Sequence, residues 1–207
     1  MQNDRGYLRV GVTGGIGAGK SEVCALFAAR GRVVLSADRV ARDMMESDPE
    51  IMNGVRRLFG AEAYHPDGAL NRELVAQAVF SDPRQRKHLD ALVHPPVISA
   101  IVRAMDALPA AQRAPYTVVE AALLYESGMH RSLDAVIVVH ASEAVRMARL
   151  LSREGSTRAE ILKRFRAQLP AAEKRERGDF VIVNEGSPAS LREKVVFFDM
   201  LLARMAG

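Results

Sequence analysis

Short apolar runs rich in β-branched residues alternate along this chain with longer stretches of helical periodicity. Leu8–Thr13 predicts a strand and residues 20–30 the helix after it; residues 33–35, Tyr116–Glu120, 134–139 and Phe180–Val183 predict four more strands. These runs are almost continuously apolar rather than alternating, the pattern of parallel strands covered on both faces. Thr157-Arg-Ala-Glu160 reads as a capping box, and Ser187-Pro188 as an N-cap followed by proline in the first helical turn. Alternating strands and helices predict an α/β fold on a doubly wound parallel sheet. Residues 38–108 break the alternation: they are helical in pattern, lack a convincing strand and are too long for a simple crossover. They predict a helical insertion over one edge of the sheet, in which Pro95 kinks or ends a helix at His94. A second, shorter helical excursion spans residues 143–177.

The 207 residues fit one domain, or one domain with an appendage, and 48% apolar with 26% charged residues is an ordinary globular composition. No apolar run approaches the roughly 20 residues of a membrane helix. The first residues lack an apolar signal core, and the single Cys24 suits a reducing compartment, so a cytoplasmic protein without membrane attachment is expected. Charge is unevenly placed. Residues 146–177 hold ten Lys/Arg against four Asp/Glu, while the remainder is nearly balanced. A basic zone on a near-neutral body implies a polyanionic ligand, either a nucleic acid or a phosphorylated small molecule. Only Phe165 interleaves with those charges, so stacking platforms for bases are missing and no nucleic acid is expected. No extended apolar helix face asks for a partner, and a monomer is the expected state.

Gly14-Gly-Ile-Gly-Ala-Gly-Lys-Ser21 satisfies G-x-x-x-x-G-K-[ST] and stands where the first strand ends and the first helix begins, the context the motif requires. Glycines let backbone amides approach phosphate oxygens, and the helix N-terminus adds unpaired N–H groups and the positive end of its dipole. Gly15, Ile16, Gly17, Ala18, Gly19, Lys20, Ser21 and the Glu22 amide are therefore the expected nucleotide contacts. Lys20 suits the β/γ-phosphates and Ser21 the Mg²⁺ that accompanies ATP. The Asp-x-x-Gly and Asn-Lys-x-Asp elements of GTP switches do not occur in the sequence, and 207 residues cannot hold the partner domains of large ATPases. A small-molecule kinase remains.

Such an enzyme needs a base for the acceptor hydroxyl and groups that neutralise charge as the phosphoryl group moves. Ligands of open α/β sheets sit beyond the carboxyl ends of the strands, so the base should follow a strand beside the phosphate-loop strand. Asp38, three residues after the 33–35 run, meets that condition; as a plain alternative it caps the helix that follows. Glu120 and Glu126 flank the segment after the third strand and suit either substrate or metal waters, or are merely solvated. His94 beside its prolines either faces a cleft or marks a helix break. Arg146, Arg149 and Arg153 share one face of a predicted helix, with Arg164 and Gln168 on the next; after a phosphate loop, this guanidinium row reads as a lid over the nucleotide.

Taken together, Val12-Thr-Gly-Gly-Ile-Gly-Ala-Gly-Lys-Ser21, Ser36-Ala-Asp-Arg-Val-Ala-Arg42, Leu92-Val-His-Pro95, Ala122-Leu-Leu-Tyr-Glu126, Arg164 with Gln168, and Asp179-Phe-Val-Ile-Val-Asn-Glu-Gly186 resemble the dephospho-CoA kinase family over nearly the whole chain. The resemblance implies a P-loop kinase-like three-layer α/β fold with a five-stranded parallel sheet, a helical CoA-binding insertion and a helical lid. Core, acceptor part and lid would then be residues 1–37 with 109–142 and 178–207, residues 38–108, and residues 143–177. It implies transfer of the ATP γ-phosphate to the ribose 3′-hydroxyl of dephospho-CoA, the last step of coenzyme A biosynthesis, assisted by Mg²⁺. Asp38 inherits the base, Lys20 and Ser21 the phosphate and metal contacts, and Arg149 and Arg153 the lid. His94, Glu126 and Arg164 fall on the acceptor side, and Asn184 in the segment that helps hold adenine. Ser36 stands where the family commonly has a first Asp, Ala122 and Tyr125 replace its usual Pro and Phe, and Val183 replaces an Asp. The residues read without the resemblance leave another P-loop kinase, acting on a nucleoside or hydroxy-acid, as the alternative.

Overall fold

The computed structural model describes residues 6–113, 115–154 and 157–207, with the side chains of 153 and 154 outside that description. In chain order the elements are β1 (Leu8–Thr13), α1 (Lys20–Ala29), β2 (Val34–Ser36), α2 (Ala37–Ser47), α3 (Pro49–Phe59), α4 (Arg72–Ser81), α5 (Pro83–Ala107) and a short α6 (Ala110–Arg113). They continue with β3 (Tyr116–Glu120), β4 (Ala135–His140), α7 (Glu143–Glu154), α8 (Arg158–Arg166), α9 (Ala171–Arg177), β5 (Phe180–Val183) and α10 (Pro188–Ala206). The chain divides into two compact units, one of Met1–Ser36 with Ala104–Gly207 and one of Ala37–Arg103.

The first unit carries a five-stranded sheet, every pairing parallel, in the order β2-β3-β1-β4-β5. Its strands are apolar because helices cover them: all of β1 is buried, as are four of five residues in β3 and five of six in β4. Helix α1 packs on α10 and both touch β3, while α9 packs on β4. Val10, Val12, Phe27, Val118, Ile137, Ile182 and Leu202 form the centre of the core, with Phe27 edge-on to Tyr116 at 6.1 Å. Buried Asp199 of α10 receives Arg30 and Arg32 at 2.7 Å each and the Tyr116 hydroxyl, fixing the C-terminal end of α1. The expected capping box on α8 and the Ser187 cap of α10 are both present.

The sheet order corrects one expectation. β2 pairs with β3 and not with β1, so the strand before Asp38 is not a neighbour of the phosphate-loop strand. Those neighbours are β3 and β4, and the register sets Glu120, the last residue of β3, opposite both Val12 and Ser36.

The second unit is helical. Asp48 caps α3 by accepting from the Glu50 and Ile51 amides, with Pro49 in the first turn, and Asn71 caps α4. The Tyr64 hydroxyl donates to Met45 O at 2.6 Å, and Leu92 fills the space that a side chain at Gly54 would need. Here too an expectation is corrected in part: α5 does not end at His94 but continues past it, with Pro95 and Pro96 inside it. Proline removes one intrahelical donor per residue, yet Val93, Val97, Ile101 and Met105, four apart, are all buried. The apolar stripe continues through the prolines and outweighs the lost bonds.

Candidate active site

The loop between β1 and α1 is shaped by glycine where nothing else fits. Gly19 is left-handed at φ 93°, immediately before α1, and a Cβ there would collide with the Asn184 side chain. At Gly14 a Cβ would meet the Val139 carbonyl. At the start of α1 a cavity of about 630 Å³ is bounded by Gly17, Gly19, Lys20, Ser21, Glu22 and Arg149. The Lys20 ammonium folds back over the loop, 3.2 Å from Gly14 O and 3.5 Å from Gly15 O.

Ser21 Oγ donates to Glu120 Oε1 at 2.7 Å, so the end of β3 brings a carboxylate to the start of α1. A hydroxyl and a carboxylate oxygen at this separation are hard donors suited to Mg²⁺, which takes one or two protein oxygens and completes its shell with water and substrate phosphates. Among the described residues no group of three His, Cys, Asp or Glu could hold a metal alone. The nearby Cys24 thiol is pushed well above its ordinary value, chiefly by burial and further by Glu120, which leaves it an inert core residue.

The arginine row divides. Arg149 reaches the loop, with Nη1 at 3.5 Å from Gly17 O and 3.4 Å from Ala18 O, and Nη2 at 3.0 Å from Asn184 O. Arg146, one turn earlier, lies beside Gly15 with its guanidinium 4.3 Å above the Phe165 ring. The side chain of Arg153 lies outside the described residues. Asn184 is buried and its Nδ2 donates to Ala18 O at 3.0 Å, so its amide braces the loop. Gln168 Oε1 accepts from the Ile16 amide at 3.1 Å, tying the segment after α8 to the same loop, while Arg164 is half-buried on α8.

Glu126 lies in the turn after β3. Its Oε1 stands 2.8 Å from Lys174 Nζ and accepts from the Leu169 amide at 2.8 Å; Lys174, wholly buried, also donates to Ala122 O at 2.7 Å. The carboxylate thus joins the 121–128 loop to α9. Asp38 and His94 belong to the second unit. Asp38 is an exposed residue in the first turn of α2, and half-buried His94 stands 3.6 Å from Asp90 one turn before it on α5. Lys174 is not legible in the sequence, because it sits in an Ala-Glu-Lys-Arg-Glu-Arg run that looks solvated, and Glu120 is there only an alternative to Glu126, the one of the two that the resemblance places at the site.

Residues 8–190 match the family model for dephospho-CoA kinase. A dephospho-CoA kinase of Anaeromyxobacter dehalogenans is 44% identical over 96% of this chain and 92% of its own length. Among solved structures, TT1252 from Thermus thermophilus superposes with a TM-score of 0.79 at 35% identity, covering 94% of this chain and 96% of the other. Dephospho-CoA kinase from Campylobacter jejuni shares the fold at TM-score 0.72 and 23% identity, covering 96% and 98%.

Proposed function

The chain belongs to the dephospho-CoA kinase family and is an ATP-dependent kinase of dephospho-CoA, and from that premise we propose which residues carry the reaction. The observation that carries the reading is the loop of Gly14 to Ser21, whose Gly17, Gly19, Lys20 and Ser21 line one cavity together with Arg149, itself hydrogen-bonded to the loop.

Transfer moves the ATP γ-phosphoryl group to the ribose 3′-hydroxyl of dephospho-CoA, giving ADP and CoA. The protein's work is to hold the phosphates in line, to balance charge spreading over the equatorial oxygens, and to take a proton. The amides of residues 15–22 cradle the phosphates, and Lys20 neutralises the β/γ oxygens. Arg149, with Arg153 further along α7, supplies positive charge from the lid of residues 143–177. Asn184 holds the adenine-side segment against the loop. Ser21 and Glu120, already joined at 2.7 Å, would hold Mg²⁺, which would supply further charge neutralisation when bound. Asp38 accepts the proton of the 3′-hydroxyl. His94 and Arg164 contact the acceptor, whose helical site is residues 38–108, and Glu126 braces the 121–128 loop against α9. The chain works as a cytoplasmic monomer without nucleic acid or membrane. No helix among the described residues is long and apolar enough to cross a membrane.

The test is Asp38→Asn. If Asp38 is the base, kcat falls by about 10²–10⁴-fold while ATP affinity, measured by equilibrium binding, stays within a factor of two or so. Turnover near that of the unsubstituted chain removes Asp38 from the chemistry.

A further inference from the structure

A second cavity, of about 700 Å³, borders the phosphate loop at Gly15 and shares no lining residue with the one at Lys20. It is bounded by Gly15, His140, Glu143, Arg146, Phe165 and Arg166, among others. Its distinguishing member is Arg146. The residue is 7% exposed, its Nε is buried without a hydrogen-bond partner, and one face of its guanidinium is covered by Phe165. Glu143, one turn earlier, acts on it through its field, but no ion pair joins the two among the described residues. Burial lowers the guanidinium's affinity for its proton.

An unpaired buried cation is costly, and proteins otherwise pair such groups or replace them. Apart from the field of Glu143, the surroundings do not relieve it. His140 Nδ1 is also buried without a partner, and its imidazole is held below its ordinary pKa first by burial and then by the charges of Arg175 and Arg146, against Glu185. Arg166 adds a further positive charge to the lining. An anion with several acceptor oxygens would compensate these charges.

We propose that this cavity is a second phosphate subsite, in which Arg146 holds a phosphate or pyrophosphate group of a reactant or product outside the cradle of the Gly14–Ser21 loop. The choice of phosphate rests on the kinase reading, under which ATP and dephospho-CoA both bring such groups. The helical row of arginines therefore serves two places: Arg149 the loop, and Arg146 the subsite beside it.

The experiment compares the unsubstituted chain with Arg146→Gln and Arg146→Lys at fixed ionic strength, using inorganic pyrophosphate as the calorimetric probe. Two equivalents should bind to the unsubstituted chain and to Arg146→Lys, and one to Arg146→Gln. Without ligand, Arg146→Gln should melt higher, because an uncompensated buried charge is gone. In steady state Arg146→Gln should raise one KM by about tenfold or more, the loss of a charged hydrogen bond. A rise for ATP assigns the subsite to the nucleotide, and a rise for dephospho-CoA to the acceptor. One equivalent in the unsubstituted chain, two in Arg146→Gln, a lower melting point for Arg146→Gln, or unchanged KM values would each overturn the subsite. Absence of turnover with dephospho-CoA in the unsubstituted chain would count against the kinase reading instead, leaving the pyrophosphate stoichiometry to judge the subsite.

Discussion

Removing the Glu126 carboxylate isolates a buried charge whose cost can be worked from the contacts. Lys174 has no exposed side-chain surface, and its ammonium rests on Glu126 Oε1 at 2.8 Å and Ala122 O at 2.7 Å. Glu126→Ala leaves the ammonium with one neutral acceptor and also strands the Leu169 amide. Breaking a buried pair by deleting one partner costs about 3–5 kcal/mol. The Glu126 side chain is 20% exposed, so water can reach the vacated side, which favours the lower end of that range. For a chain of this size about 3 kcal/mol corresponds to a melting point roughly 6–12 °C lower. Urea unfolding and thermal melting of four proteins, the unsubstituted chain, Glu126→Ala, Lys174→Met and Glu126→Leu with Lys174→Met, give the answer. The double apolar replacement should recover most of the loss, because a buried pair exchanged for apolar side chains of similar volume is nearly neutral. A loss below about 1 kcal/mol for Glu126→Ala, no more than an exposed pair is worth, would refute the reasoning. So would a double variant no more stable than either single one. The KM for dephospho-CoA, measured below the melting transition, separates a bracing role from direct contact: bracing alone leaves it unchanged.

Two further outcomes follow from the site and the core. Glu120→Gln should raise the Mg²⁺ concentration for half-maximal turnover while leaving metal-free ATP binding unchanged, and an unaltered Mg²⁺ titration would remove Glu120 from the metal site. Burial alone would push the Asp199 carboxyl up, but hydrogen bonds from Arg32, Tyr116 and Arg30 outweigh it and hold it below the usual 3.8. The resulting stability is present above that value and lost as pH falls through the lowered one. Asp199→Asn should therefore unfold more easily at pH 7 by about 1.5–3 kcal/mol. The gap to the unsubstituted chain should narrow as pH falls below 3.8 towards the lowered value, and a gap that stays constant through that fall would contradict the assignment.

The elements most legible in the sequence are those whose residues answer local demands. The phosphate loop needs glycine at Gly14 and Gly19 for reasons of backbone space alone, and the caps at Thr157 and Ser187 are local hydrogen bonds. What depends on long-range register was not legible. Nothing in the chain states that β3 inserts between β2 and β1, so the contact between Glu120 and Ser21 emerges only with the sheet order. Helical spacing put Arg146 and Arg149 on one face. Residues three apart still diverge by about 60° around an α-helix, enough here to send one guanidinium to Gly17 and the other to Phe165. Lys174 reads as solvent-exposed because its burial is conferred by the loop after β3, fifty residues away in sequence. Pro95 and Pro96 mislead in the other direction, since a buried stripe on α5 overrides their local preference.

The central claim is most directly tested by a coupled assay of ADP release with Mg·ATP, in which dephospho-CoA, adenosine, other nucleosides, shikimate and no acceptor are compared. The account predicts saturable turnover with dephospho-CoA alone and a product with the mass of CoA. Turnover with another acceptor and none with dephospho-CoA would contradict it.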